Sequence, residues 1–167
     1  MYLYSKLKDF NKDIKIAFIG CGKFISMFLS QYNQLKKIKI DSIIDINIDR
    51  VKKIKNLCDK YNLSTQIIEK EDQILENKEI LIINHFGDLD KYLTHALSVF
   101  IGKSTLKELE KVGGQSPIEA VNLGCKIYHG PYVYNFKEIY ETLKKNNISK
   151  EINSDKELSE YLKIDLE

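Results

Sequence analysis

The chain reads as a three-layer α/β domain with about six mainly parallel strands and helices on both faces. Three observations carry that expectation. Short apolar runs recur, IKIAFIG at Ile14–Gly20, EILIIN at Glu79–Asn84 and SVFI at Ser98–Ile101, and runs of that length bounded by turn residues suit buried strands. Segments with helical spacing of apolar residues alternate with them, which is the wiring of a parallel sheet. Glycine and proline are also concentrated. Both prolines, Pro117 and Pro131, and Gly102, Gly113, Gly114, Gly124 and Gly130 fall between Ser98 and Phe136, with Gly87 just upstream. These residues mark places where a backbone must take a special shape, so a built site is expected there.

Taken in order, Met1–Asp13 is a polar-aromatic lead-in. Ile14–Gly20 is the first strand, and Gly20-Cys21-Gly22 turns into a helix from about Lys23 to Gln34. Ile25, Phe28, Leu29, Tyr32 and Leu35 follow helical spacing there. Ile40–Ile46 is the second strand. Asp49 is positioned to cap a helix to about Tyr61, with Val51, Ile54, Cys58 and Tyr61 inward and Lys52, Lys53 and Lys55 outward. Thr65–Ile68 is the third strand, Glu69–Lys78 a charged loop, and Glu79–Asn84 the fourth strand. Asp88 can cap a helix to Leu97. Ser98–Ile101 is the fifth strand, and Lys103–Val112 has helical spacing with Leu106 and Leu109 as its only anchors.

Ser116-Pro117-Ile118-Glu119 has the form of a helix start: Ser at the cap, Pro first, Glu three after the cap. That helix ends at Gly124, a C-cap. Lys126–His129 is the next strand, Asn135 to Glu138 opens another helix, Ile148–Ile152 is a short strand, and Ser154 to Glu157 is a capping box before a last helix to about Lys163.

Length and composition bound the rest. The 167 residues suit one domain, 1–167, with a sizeable core. With 26 basic and 24 acidic residues the formal charge is +2, so no strong polyanion-binding field exists and nucleic acid is not an expected partner. Cys21, Cys58 and Cys125 are far apart, and His85, His95 and His129 are scattered, so no metal site is expected and the thiols read as reduced and buried. No apolar run approaches the roughly 20 residues that span a bilayer, and the opening has no signal-peptide form. A cytoplasmic location follows as the expectation.

A helix start that follows a glycine loop beside strand ends favours anions, because free N–H groups and the helix dipole both attract phosphate. Glu119 in the first turn could accept hydrogen bonds from sugar hydroxyls, or could merely close its own capping box. The residues leave both open. The ordered segments VFIGKS, GGQSPIE, LGCKIYHGP and NFKEI resemble the C-terminal half of 3-deoxy-D-manno-octulosonic acid (Kdo) transferases. Those are GT-B glycosyltransferases that move Kdo from CMP-Kdo onto the lipid A precursor in lipopolysaccharide biosynthesis. Gly102 and Ser104 match the family pattern, with Lys103 in place of Gly; Gly113, Gly114, Gln115, Pro117 and Glu119 match, with Ser116 for Asn and Ile118 for Leu; Gly130-Pro131 and Asn135-Phe136 match. Phe86-Gly87-Asp88 resembles a turn that contacts the CMP moiety, with Asp for Glu, though Asp88 could equally serve only as a cap. The resemblance covers about residues 49–167 and implies a Rossmann-like half of a GT-B fold. It implies a CMP-sugar site at Phe86, Gly87, Asp88, Gly113, Gly114, Gln115, Ser116, Pro117, Ile118 and Glu119, with Gly102, Ser104, Gly130 and Asn135 in support. No further cofactor is implied.

The sequence departs from the family at Asp45-Ile46-Asn47, where the family has Pro-Arg-His. An aspartate there would repel the phosphate an arginine attracts. The family's other domain, which bears the membrane anchor, the acceptor surface and the general base, has no counterpart here. A separate acceptor domain is therefore an expected partner, and no catalytic residue is assigned. Residues 1–45 look instead like the start of an NAD(P)-dependent oxidoreductase of the homoserine-dehydrogenase-like kind. Strand, Gly20-x-Gly22, helix, strand and Asp45 follow in the order of a dinucleotide site, with Ile25 where the third glycine would stand. The rival expectations are thus a nicotinamide-nucleotide binder using Gly20, Gly22 and Asp45, and a folded module with no ligand.

Overall fold

The computed structural model describes residues 14–20, 22–35, 38–70, 73, 80–84 and 89–164. Seven strands form one sheet in the order β3-β4-β2-β1-β5-β6-β7. They are β1 (Ile14–Ile19), β2 (Ile38–Ile44), β3 (Thr65–Ile68), β4 (Ile80–Ile83), β5 (Ser98–Ile101), β6 (Lys126–His129) and β7 (Ser149–Glu151). The sheet is one strand wider than expected, and every pairing among the described residues is parallel. Six α-helices lie among the described residues, five between strands and one after β7: α1 (Lys23–Gln31), α2 (Ile48–Lys60), α3 (Leu89–Leu93), α4 (Ile118–Asn122), α5 (Lys137–Lys145) and α6 (Asp155–Ile164).

Alternation along the strands sorts the core into two slabs. Ile16, Phe18, Ile82, Phe100 and Tyr128 face one way and pack with Ile25 and Phe28 of α1, Val51 and Ile54 of α2, and Leu158 and Leu162 of α6. Ala17, Val99, Ile101 and Ile127 face the other way, against Leu93 of α3, Ala120 of α4 and Tyr140 of α5. This is the expected three-layer arrangement. The first slab is aromatic at its centre: Phe24 stacks on Phe100 at 4.1 Å and Phe18 meets Phe28 at 5.0 Å between centroids. Each such ring, taken from water, contributes about 1.5–3 kcal/mol. Cys58 and Cys125 are free and buried, and burial pushes the Cys58 thiol up to about 12, so it is an inert packing group. No helix among the described residues is long and apolar enough to cross a membrane.

The ends of elements differ from expectation in instructive ways. β2 begins two residues earlier than predicted and ends at Ile44, because Asp45 and Asn47 build the start of α2. Asn47, not Asp49, is its cap, accepting from the Arg50 amide at 3.0 Å. Lys103–Val112 is not a helix. Only Lys107–Leu109 makes a 3-10 turn, since Lys103 is left-handed (φ 56) and the segment's carbonyls are used by other loops. The last helix is capped as predicted, with the Glu157 amide on Ser154 Oγ at 3.1 Å and the Asn153 amide on Glu157 Oε2 at 2.8 Å.

Candidate functional site

Parallel strands place all their carboxyl ends on one rim. From β1 the chain runs outward to β2 on one side, and it later returns to lay β5 on β1's other side. α1, which follows β1, covers one face, while α3, which precedes β5, covers the other. The rim between β1 and β5 is therefore a topological switch point, where the connections diverge and leave a crevice. Gly20 (φ 102) and Gly102 stand just past these two strand ends. The Gly102 amide continues the ladder to Ile19 O at 2.7 Å. A Cβ on Gly102 would lie 2.3 Å from that same oxygen, and one on Gly20 would lie 3.5 Å from Gly102 Cα. The dinucleotide-type loop and the glycine-rich region, read from sequence as rival sites, thus touch.

Beside the crevice three loops meet backbone to backbone. Ser104 Oγ donates to Ile101 O at 2.6 Å and accepts from the Gly130 amide at 2.8 Å. The Tyr132 amide donates to Ser104 O at 2.8 Å, and the Gly114 amide to Lys103 O at 3.0 Å. A Cβ on Gly113 would come within 2.6 Å of both Leu109 O and Tyr132 O, and one on Gly130 within 2.2 Å of Ser104 O. Asn135 secures the junction, its side-chain amide donating to Val112 O at 3.0 Å; it does not open α5, whose cap position is Phe136 with no side-chain bond. Gly102, Ser104, Gly113, Gly114, Gly130 and Asn135 are thus brought together. The close approach that glycine permits at 113 and 130 is made by the chain's own carbonyls.

Gln115 to Glu119 leads from this junction into α4. The Tyr140 hydroxyl donates to Gln115 O at 3.0 Å. The predicted capping box does not form. Pro117 takes the cap position and helix begins at Ile118, so Glu119 stands second in the helix rather than third and cannot reach back. Ser116 Oγ accepts only a long 3.4 Å bond from the Ile118 amide. Glu119 is exposed in the first turn, where the helix dipole favours its charge. The helix ends as expected: Gly124 is left-handed (φ 74), with its amide on Val121 O and the Cys125 amide on Ala120 O, a Schellman closure.

Two buried polar atoms of this region have no partner among the described residues, Gln115 Oε1 and His129 Nε2. His129 Nδ1 lies 2.7 Å from Gly130 O, so Nδ1 carries the proton and Nε2 is an acceptor. Its ring packs on Tyr140 at 4.3 Å between centroids. Burial lowers the His129 pKa, opposed by the Gly130 carbonyl and Glu151. Sequence reasoning missed Tyr140 as the support of the Gln115 carbonyl, and His129 as the ring packed on Tyr140, because these contacts join β6, α5 and a loop.

Asp45 is built into its own turn. Its carboxylate accepts from the Asn47 amide at 2.8 Å and lies 3.7 Å from Arg50, and its side chain is 7% exposed. Asn84 adds a bond to its backbone oxygen at 2.7 Å. The residue that sequence spacing offered to a ribose is therefore occupied. A Cβ at Gly22 would meet nothing within 4 Å, so packing does not require glycine there. Phe86, Gly87 and Asp88 lie outside the described residues, as do Met1–Asp13 and Cys21.

Comparison with known proteins agrees with the resemblance read from the motifs. No protein-family model matches the chain. It is 29% identical over 129 residues to the 3-deoxy-D-manno-octulosonic acid transferase of Rickettsia prowazekii (strain Madrid E), a match over 75% of this chain and 27% of that protein. The chain thus spans about a quarter of the length of this relative. Its fold is that of the C-terminal CMP-Kdo binding domain of WaaA from Acinetobacter baumannii, with a TM-score of 0.74 at 16% identity over 98% of this chain and 85% of that one. An oxidoreductase from Agrobacterium radiobacter shares the fold more loosely, with a TM-score of 0.51 at 16% identity over 85% of this chain and 35% of that one. The likeness to the WaaA domain takes in the opening strand and helix that sequence alone set apart.

Proposed function

We propose that this chain is the donor-binding half of a glycosyltransferase and takes a CMP-activated acidic sugar of the Kdo kind at the β5–β6 end of the rim. The observation that carries this reading is the convergence of Gly102–Ser104, Gly113–Glu119 and Gly130–Asn135 beside the switch-point crevice. Those segments bear the motifs shared with Kdo transferases, and the chain is similar to one such enzyme and to a CMP-Kdo binding domain.

The residues divide the work chemically. The backbone of Gly113 to Pro117, pinned by Asn135 and Tyr140, presents a preformed path on which a nucleotide needs no reordering. Glu119, free of its own cap, accepts hydrogen bonds from hydroxyls of the ribose or sugar. Phe86, Gly87 and Asp88 are assigned the contact to the CMP moiety that the resemblance implies. Transfer itself requires an acceptor surface and a general base, which a further domain would supply. The chain alone therefore binds donor without turning it over. A dinucleotide reading is less well supported, since Asp45 is committed to Asn47 and Arg50.

Calorimetric titration with CMP and CMP-Kdo tests the proposal. Saturable binding is expected, weakened by Glu119→Ala. Absence of heat at millimolar CMP-Kdo, or an alanine variant that binds as the parent does, removes it.

A further inference from the structure

We propose, on the strength of that reading, that Lys103 is the residue that holds the phosphate of the bound nucleotide. Three residues other than glycine adopt a left-handed backbone among those described: Asn62 (φ 57), Lys103 (φ 56) and Asn147 (φ 56). The two asparagines have an evident task. Asn62 closes α2, its amide on Asp59 O and the next amide on Cys58 O; Asn147 closes α5 in the same way on Lys144 O and Leu143 O. Asparagine also tolerates this conformation. Lys103 closes no helix. It follows β5, and a lysine held left-handed there bears a strain that glycine would not.

The place explains the expense. Gly102, on its amino side, packs on Ile19 and Gly20 at the switch point. Ser104, on the other side, is bonded to Ile101 and Gly130. The Lys103 carbonyl itself receives the Gly114 amide at 3.0 Å. Backbone and flanks are fixed at the rim beside the Gly113–Gly114 loop, and the side chain is exposed. Its ammonium is paired with no carboxylate among the described residues. Arg50, the chain's single arginine, is instead drawn to Asp45 at 3.7 Å. A compact ammonium serves phosphate as a point charge without needing a planar partner. Lys103 so placed supplies the positive charge that the Asp45 turn does not.

The test compares wild type with Lys103→Gly and Lys103→Gln, each titrated with CMP, cytidine and inorganic pyrophosphate. Loss of one charge-assisted phosphate contact should weaken CMP binding roughly tenfold in both variants, with cytidine unaffected and the salt dependence of CMP binding reduced. Lys103→Gly relieves the backbone, so its thermal midpoint should equal or exceed that of wild type, which separates lost charge from lost fold. CMP affinity unchanged in both variants overturns the inference and leaves the donor-domain reading standing. Binding of pyrophosphate but not CMP, lost in the variants, upholds Lys103 as an anion residue while the donor-domain reading falls. A wild-type chain that binds neither anion removes both.

Discussion

At position 113 a single methyl group decides whether three loops can meet. The carbonyls of Leu109, Tyr132 and Lys103 surround it, the nearest at 2.6 Å from where a Cβ would stand. All are backbone, so none can swing aside. Gly113→Ala should therefore cost about 2–4 kcal/mol of folding stability, as overpacked sites do, and denaturant titration measures it; a loss under about 0.5 kcal/mol would mean that the loops separate easily. His129 gives the second residue-scale prediction. Its ordinary pKa of 6.5 is lowered in the fold, chiefly by burial. Between the two values the unfolded chain binds a proton that the folded chain refuses, so this residue's contribution falls as pH drops below about 6.5. Glu151 opposes the shift and Lys144 adds to it. The thermal midpoint of wild type should drop more between about pH 7.5 and about pH 5.5 than that of His129→Phe. Equal drops would show that the imidazole takes up its proton without opening the fold.

Among the elements, α4 shows what local sequence does and does not settle. Its far end follows from Gly124, whose left-handed φ of 74 serves a Schellman closure, and Gly124→Ala should cost about 1 kcal/mol in a thermal or chemical melt. No loss would mean that the turn has an alternative right-handed form. Its near end was misread by one residue: Ser-Pro-Ile-Glu has the spacing of a capping box, yet Pro117 takes the cap. The Gln115 carbonyl just upstream is held from outside by Tyr140. The strands were legible because each holds an unbroken apolar run, Ile16–Ile19 in β1, Ile80–Ile83 in β4 and Val99–Ile101 in β5, as strands covered on both faces do. The last helix was legible because both partners of its cap lie within five residues. Lys103–Val112 was not, since its shape is set by Gly130, Tyr132 and Asn135, which join it only in three dimensions. The same division holds at the candidate site. Sequence named Gly113 to Glu119 and Asn135, but not the burial of Asp45, the packing of Tyr140 on His129, or the twist at Lys103.

At the scale of the whole molecule, the strand order brings side by side the two glycine loops that sequence offered as rival sites. A separate nicotinamide site would use Gly20 and Gly22; the proposed donor site would use the rim from Gly102 onward. Gly20 and Gly102 stand at adjacent strand ends, close enough that Gly102 could bear no side chain. On that reading, a nucleotide phosphate seated on either loop would exclude one seated on the other. Any nicotinamide nucleotide that binds should therefore be displaced by CMP, with an apparent affinity that falls in proportion to added CMP. Titrating NADH fluorescence at several CMP concentrations measures this directly. Additive binding, with a complex containing both nucleotides, would mean that the β1 and β5 loops serve independent sites and that the divergence of α1 and α3 at the sheet's centre does not create a shared crevice.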